Sequence, residues 1–222
     1  MLLIPIDIET GRDEAEYALD NHINMAKENA NVTNPDTAAK QKIQKGTAAW
    51  EATSLDGLYG NPLVISWAVD DGPIFDVHRI PGGLSVVELL ADFWTGLRES
   101  IPVNKTNHPP TFIGWNVQFD LRFLWMSCVR HGVKPPIHIP HDAPPWKDAY
   151  IDLMQYFPRP KRNEGCHKLK HACEALGIPD DGDIDGSEVW DAIQAGQLDD
   201  VVTHCRADVE RVREIYKRVT FA

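Results

Sequence analysis

Asp7 and Glu9 stand two residues apart in the run Asp7-Ile8-Glu9-Thr10, directly after an apolar stretch. Side chains of an extended strand alternate between faces, so both carboxylates project to one side. Like charges held that close repel unless a cation lies between them. Oxygen ligands of this kind suit a hard ion, Mg2+ or Mn2+. Taken alone, the dyad also fits two solvated acids at a strand end. A third acid, Asp120, closes the run Asn116-Val117-Gln118-Phe119-Asp120. Structural roles suffice there too: Asn116 can cap a following helix, and Asp120 in its first turn suits the positive end of the helix dipole. The fourth acid is harder to explain. Val201, Cys205, Val212, Ile215 and Val219 recur at helical spacing, and the position that completes their stripe is Asp208. A carboxylate on a core-facing stripe is costly unless it is paired or bound to metal. An arginine such as Arg122 or Arg206 could pair with it, and so could a divalent ion. His204, four residues earlier, shares nearly the same face.

These motifs place four carboxylates on three separate elements. Such a set can hold two divalent ions about 4 Å apart, which clamp the attacking and leaving oxygens of an in-line displacement at phosphorus. Phosphodiester hydrolysis is the chemistry these residues point to.

The elements that must position the acids follow from the apolar pattern. Leu2–Ile8 reads as a buried first strand. Residues 13–54 are polar and poor in large apolar side chains, so they read as an insertion or flap, not a second core. A helix is expected over Asp36–Ala52, with Asn34 or Asp36 near its start, and 13–33 is ambiguous. Pro62–Val69 and Ile74–Ile80 read as strands joined by the turn Asp70-Asp71-Gly72-Pro73. Thr111–Trp115 is a further short strand. Helical spacing marks Ser85–Leu97, Val117–His131, His167–Leu176 (ending at Gly177) and Leu198–Val219. Prolines at 135–145 mark a long loop. This order predicts an α/β or α+β domain with a mixed sheet and helices packed against it, and a single unit over 1–222.

At 43% hydrophobic and 25% charged, the 222 residues have the make-up of a soluble globular protein. Leu2–Ile6 is broken by Pro5 and ends at Asp7, which argues against a signal peptide or a membrane span. Cys128, Cys166, Cys173 and Cys205 form no Cys-x-x-Cys pair and read as free thiols in a reducing cytoplasm. A net charge of −11 argues against coating nucleic acid through bulk electrostatics, while leaving room for a local cleft that holds one strand end. No G-x4-G-K-[ST] loop is present, so nothing suggests a nucleoside triphosphate hydrolase.

The chain resembles the DEDD-type 3′–5′ exonucleases of the ribonuclease H-like fold. Asp7 and Glu9 match the first motif, D-x-E; Asn116, Phe119 and Asp120 match the second, N-x(2–3)-F-D; Asp208 within His204-Cys205-Arg206-Ala207-Asp208-Val209 matches the third. The motifs come in the family's order and cover the chain from residue 2 to about 219. Lys42–Gly60, with Lys45, Trp50, Leu55, Asp56 and Gly60, is similar to an insertion in phage and bacterial members related to polymerase-B-type exonuclease domains. The family has a tyrosine branch with Y-x3-D and a histidine branch with H-x4-D, whereas this chain has H-x3-D in surroundings closer to the tyrosine branch. His204 therefore stands where that branch has its water-orienting tyrosine, and a neutral imidazole could accept the proton of the attacking water.

The resemblance implies an α/β, ribonuclease H-like mixed β-sheet flanked by α-helices, and two Mg2+ (or Mn2+) ions. Asp7 would bridge both metals, Glu9 and Asp208 would complete the first site, and Asp120 would serve the second. Thr10, Asn116 and Phe119 would lie near the terminal nucleotide, with Phe119 weighed as a core residue before a stacking platform. The implied reaction is hydrolysis of the 3′-terminal phosphodiester of mainly single-stranded DNA, releasing nucleoside 5′-monophosphates. It would take place in the cytoplasm of a bacterium or phage-infected host cell, away from membranes, alone or with a separate replication or repair partner. The alternatives are a short-RNA 3′–5′ exoribonuclease and a catalytically inactive DEDD domain that binds strand ends or a replication protein.

Further residues carry weaker signals. Cys166, His167, His171 and Cys173 could form a zinc site, although all would come from one helix. Arg159, Lys161, Arg162, Lys168 and Lys170 could track the phosphates of an incoming strand or remain a solvated stretch. Asp148 and Asp152 are additional acids, of which Asp152 is expected to support the site without a ligand role. Trp115, Trp125 and Trp146 are expected to be packing groups, and His138 and His141 to be surface residues. The insertion is expected to fold over the substrate channel.

Overall fold

The opening apolar run becomes strand β1 (Leu2–Gly11), whose Leu2, Ile4, Ile6 and Ile8 are buried on one face. A computed structural model describes residues 1–27, 31–144, 149–157, 168–179 and 184–221. Strand β2 (Asn61–Ala68) is buried along its whole length, and β3 (Ile74–His78) is the half-exposed edge beside it. Strands β4 (Pro110–Gly114) and β5 (Tyr150–Asp152) complete a five-stranded sheet in the order β3-β2-β1-β4-β5. The ladders are antiparallel from β3 to β1 and parallel from β1 to β5. The mixed sheet agrees with the α/β expectation. β5 itself is not legible in the sequence, because three residues carry too little alternation to register.

The changeover between ladders sets up the site. β4 pairs with Leu2–Pro5, whereas β2 pairs with Ile6–Gly11. Beyond Pro5, β1 outruns β4, and the start of helix α4 (Val117–His131) takes the place beside it. A register shift between Glu9 and Thr10 marks a bulge in β1, the kind of irregularity that re-aims side chains at a sheet's end.

Two layers of helix cover the sheet. Helix α3 (Val86–Ser100) starts on a capping box between Ser85 and Glu88 and buries Val86, Leu89, Leu90, Phe93, Trp94 and Leu97. With α4 it covers the face that carries Ile4, Ile6, Ile65 and Trp67. The opposite face is covered by α5 (Leu169–Leu176), α6 (Val189–Gln194) and the long α7 (Leu198–Thr220), through Leu63, Val64, Val201 and Cys205 in one cluster and Ile113, Cys173, Val212 and Ile215 in another. Basic side chains of α7 also clasp the β2–β3 turn: Arg213 donates to the Gly72 carbonyl at 2.6 Å, and Lys217 pairs with Asp71 at 3.1 Å.

Residues 13–54 form two helices, α1 (Ala18–Met25) and α2 (Pro35–Glu51), followed by a 3-10 turn at Ala52–Leu55. Asn34 caps α2, accepting from the Asp36 and Thr37 N–H groups. Gly46 lets the pair approach closely, since a Cβ there would lie 2.3 Å from the Ile23 Cα. The pair is stitched to the sheet by polar contacts more than by a core. Glu14 accepts both arms of the buried Arg79 at 2.6 and 2.7 Å, and the Trp50 indole donates to the Asp13 carbonyl at 3.0 Å. Arg12 lies over the Trp50 and Trp190 rings at 4.9 and 5.7 Å.

One expectation about α4 fails. Asn116 precedes the helix in the left-handed conformation, with φ of 57°, and its side chain makes no capping bond. Its backbone N–H is instead held by Asp152 Oδ1 at 2.9 Å. Asparagine suits this position because it tolerates positive φ, so its value here is conformational and its amide projects outward from an exposed residue.

Candidate active site

The acids converge at the carboxyl end of β1, the edge at which open α/β sheets bind ligands. Strand alternation and the bulge bring Asp7 and Glu9 together, and their carboxylates lie within 4.8 Å of each other and of the Cys205 thiol. The first turn of α4 adds Asp120, which is 5% exposed and accepts the Ile8 N–H. From α7 come His204 and Asp208, one helical turn apart. His204 Nε2 lies 3.3 Å from Glu9 Oε1 and 3.9 Å from Asp208 Oδ2. These groups line one cleft of about 310 Å3, with Trp115, Phe119, Lys168, Lys170, Asp185 and Arg211 among its other walls.

Three of the acids, Asp7, Glu9 and Asp120, resist ionisation in this setting. Asp7 is pushed up to about 8, first by burial and then by the charge of Asp208. Glu9 is raised well above the usual carboxylate range by burial and by Asp7, Asp208 and Asp120. Asp120 is raised by burial and by Asp7. Asp7 Oδ2 is buried without a hydrogen-bond partner. The Cys205 thiol is pushed up by burial and by Asp7 and Glu9, so it stays protonated and donates to the Asp7 carbonyl at 3.4 Å. What remains is a set of oxygen donors with excess negative charge, and that set fits a hard divalent ion.

A pH dependence follows. A carboxyl whose pKa is higher folded than unfolded keeps its proton better in the native state, so raising the pH costs stability. For Asp7 the window runs from its ordinary 3.8 to about 8. In EDTA the protein is expected to melt at higher temperature near pH 6 than near pH 8.5, and added Mg2+ should raise the melting temperature more at the higher pH. Thermal melts across that range check this; a metal-free protein that gains stability as pH rises would contradict the arrangement.

The structure also settles how Asp208 is balanced. Arg211, which is 7% exposed and three residues further along α7, donates to Asp208 Oδ1 at 2.6 Å. Neither arginine considered from the sequence takes that role: Arg206 pairs with Asp76, and Arg122 donates to the His141 carbonyl. Arg211 was the site residue that sequence reasoning missed, although an i,i+3 neighbour of a buried acid is a natural partner. Lys168 pairs with Asp185 at 2.7 Å on the far wall, and Lys170 lines the same cleft; Arg159, Lys161 and Arg162 lie outside the described residues, as do Asp148 and Trp146.

Other expectations meet a mixed outcome. Phe119 is not a core residue: it is half-buried and lines both the acid cleft and a neighbouring cavity. Thr10 directs its hydroxyl to the Ser54 carbonyl at 2.6 Å. Trp115 lines the cleft and also leans on Phe157, with ring centres 5.2 Å apart. His138 is exposed as expected, but His141 stacks on Trp125 at 3.9 Å. His171 is exposed and Cys173 fully buried on α5, so the two do not converge; Cys166 and His167 lie outside the described residues. Cys128, Cys173 and Cys205 are buried and outside any disulfide.

The comparisons with known proteins agree with this geometry. The chain belongs to a family described as predicted 3′–5′ exonucleases related to the exonuclease domain of PolB, which matches residues 63–221. That stretch carries Asp120, His204 and Asp208 and begins after Asp7 and Glu9. Its fold is similar to that of the family B DNA polymerase from the hyperthermophilic archaeon Pyrobaculum calidifontis, with a TM-score of 0.60 at 13% identity over 99% of this chain and 24% of the polymerase. The chain thus spans about a quarter of that protein's length, and β1 is included in the shared architecture. No curated protein matches the sequence. The fold is ribonuclease H-like, and exonuclease hydrolysis is the class of activity that the family carries.

Proposed function

We propose that this protein is a two-metal-ion 3′–5′ exonuclease that hydrolyses the 3′-terminal phosphodiester of mainly single-stranded DNA and releases nucleoside 5′-monophosphates. The observation that carries this reading is the meeting of Asp7, Glu9, Asp120 and Asp208 with His204 in one cleft. Asp7 is the residue that would be shared between two Mg2+ (or Mn2+) ions, with Glu9 and Asp208 on one and Asp120 on the other. When bound, such ions supply an acidified water and a counter-charge for the departing 3′ oxygen.

The chain's own residues do the rest. His204 would accept the proton of the attacking water at Nε2, the ring nitrogen that faces the acids, with Glu9 and Asp208 3.3 and 3.9 Å from it to aim the ring. Arg211 fixes one oxygen of Asp208 and leaves the other toward His204. Phe119 on the cleft wall and Asn116 on the neighbouring cavity would orient the terminal nucleotide, while the Thr10 hydroxyl is committed to the Ser54 carbonyl. Lys168 and Lys170 offset the charge of the incoming phosphates.

Residues 1–222 would form one exonuclease unit, with 13–54 as an insertion tied down by the Glu14–Arg79 pair and by Trp50 against Trp190. A separate replication or repair protein is the expected partner, given the polymerase context of the family. No described helix is long and apolar enough to cross a membrane, and buried thiols suit the cytoplasm of a bacterial or phage-infected cell. Retention of all four acids favours catalysis over an inactive end-binding domain, and a matched RNA oligomer separates the DNA from the short-RNA reading.

The test is degradation of a 5′-labelled single-stranded DNA oligomer in Mg2+, Mn2+ or EDTA. A ladder that shortens from the 3′ end and vanishes in EDTA is expected. No ladder from DNA or RNA would favour the end-binding domain. In the same assay His204→Ala should lose roughly 10²–10⁴-fold in kcat, the usual weight of a general base, while still gaining thermal stability from Mg2+. Turnover near that of the wild type would remove His204 from the proton transfer.

A further inference from the structure

Strand β3 ends the sheet, and among the described residues no further strand pairs with its outer edge. The Arg79 N–H donates to the Leu63 carbonyl at 2.8 Å. Antiparallel alternation then turns the backbone groups of Phe75 and Val77 toward β2 and those of Ile74, Asp76 and His78 outward. An open edge of this kind can take up another strand unless it is shortened, bulged or given repelling charge.

The two faces of β3 differ. On the α7 side stand Asp76 and His78. His78 Nδ1 lies 3.1 Å from Asp76 Oδ2, and Arg206 of α7 pairs with the other carboxylate oxygen. On the α3 side the strand is apolar. Phe75 stacks on Trp67, with ring centres 5.7 Å apart, and Val77 packs against the same cluster. The Leu84 carbonyl accepts from Arg79 Nε at 2.8 Å, which holds Leu84 next to the strand. Phe75 and Leu84 are each 37% exposed, and Ile80 and Val87 are each 46% exposed, so apolar surface continues from the strand to the start of α3.

We propose that β3 is a self-docking edge, at which two copies of this chain pair their β3 strands antiparallel about a two-fold axis at Val77. In that register Asp76 faces the second copy's His78, His78 faces its Asp76, Val77 meets Val77, and Ile74 meets Ile80. The run Asp76-Val77-His78 is thus complementary to itself read backwards, which favours a second copy over an unrelated strand. Neighbouring registers lack this match. An axis at Asp76 sets acid against acid, which destabilises a cross-strand pair. An axis at His78 sets His78 against itself and Asp76 against Ile80.

The pairing goes beyond the exonuclease reading and does not depend on it. β3 runs parallel to β1, since two antiparallel ladders separate them. A two-fold axis at β3 therefore points the two acid clefts to opposite ends of the joint sheet, and each works on its own strand end.

The experiment is sedimentation velocity across micromolar concentrations, with circular dichroism to check the fold. Wild type should sediment as a dimer. His78→Asp sets acid against acid at both symmetric pairs and should weaken dimerisation about tenfold or more. The exchange Asp76→His/His78→Asp restores opposite partners and should recover the dimer. Val77→Cys, on the axis, should give a disulfide-linked dimer on mild oxidation with diamide, because Cα atoms at such a pair lie about 4.5 Å apart, within disulfide range. A wild type that stays monomeric throughout would overturn the proposal. So would a dimer that His78→Asp leaves unchanged, or one that the exchange fails to recover, or one that Val77→Cys does not cross-link, since each outcome places the contact on another surface.

Discussion

Asp7→Asn should reduce turnover by at least about 10³-fold, the scale on which loss of a bridging metal ligand is felt, and should raise the stability of the metal-free protein. The two effects have one cause. Asp7 is coupled to all three of the other acids: its charge bears on Glu9 and Asp120, and the charge of Asp208 bears on it. The amide keeps the shape and the contact with Cys205, removes a negative charge from a buried cluster, and can no longer be shared as an anionic ligand. Initial rates on a labelled oligomer and melting curves in EDTA measure the two sides. A variant that stays within tenfold of wild-type rate would displace Asp7 from the centre of the site. One that melts lower in EDTA would show that repulsion among the acids is not what limits the metal-free protein.

The second large effect lies away from the cleft. Glu14→Ala strips the partner from Arg79, whose side chain is 5% exposed. Breaking a buried pair from one side costs about 3–5 kcal/mol, because the other charge is left without compensation. In a protein of this size that corresponds to a fall in melting temperature on the order of 10 °C. Asn61, which donates to the same carboxylate at 3.2 Å, loses its acceptor as well. Replacing Arg79 and Glu14 together by apolar residues should recover much of the loss. A single variant that melts within about 2 °C of wild type would mean that α1 and α2 are not anchored through this pair.

The acid motifs were legible because each breaks a local rule. Asp208 interrupts an apolar helical stripe, and Asp7 with Glu9 ends an apolar strand with two like charges on one face. The partners that make those violations tolerable were less visible. Arg211, three residues beyond Asp208, shares its helix face, whereas Arg206, two residues before it, does not and reaches Asp76 instead; that spacing was the available signal. Asn116 shows the opposite case: its residue type matched a capping role so well that its actual use, a left-handed residue pinned by Asp152, stayed hidden until β5 was seen to lie beside β4. The insertion reads correctly as helical and polar from 36 onward, yet its attachment depends on Glu14 meeting Arg79 and Trp50 meeting Trp190, far along the chain, which no window of sequence contains.

The thiol of Cys205 and the carbonyl of Asp7 close a loop of 198 residues. The four acids therefore come from three distant stages of the chain, and β1 can gather them only after β4 has aligned along one of its edges and α7 has settled across its face. Contacts this distant in sequence form slowly and late, because loop closure precedes any reward from packing. A collapsed intermediate with most of its helices in place would still lack a working site. Hydrolytic power is thereby tied to the completion of folding, so that a half-made molecule is harmless to the nucleic acid around it.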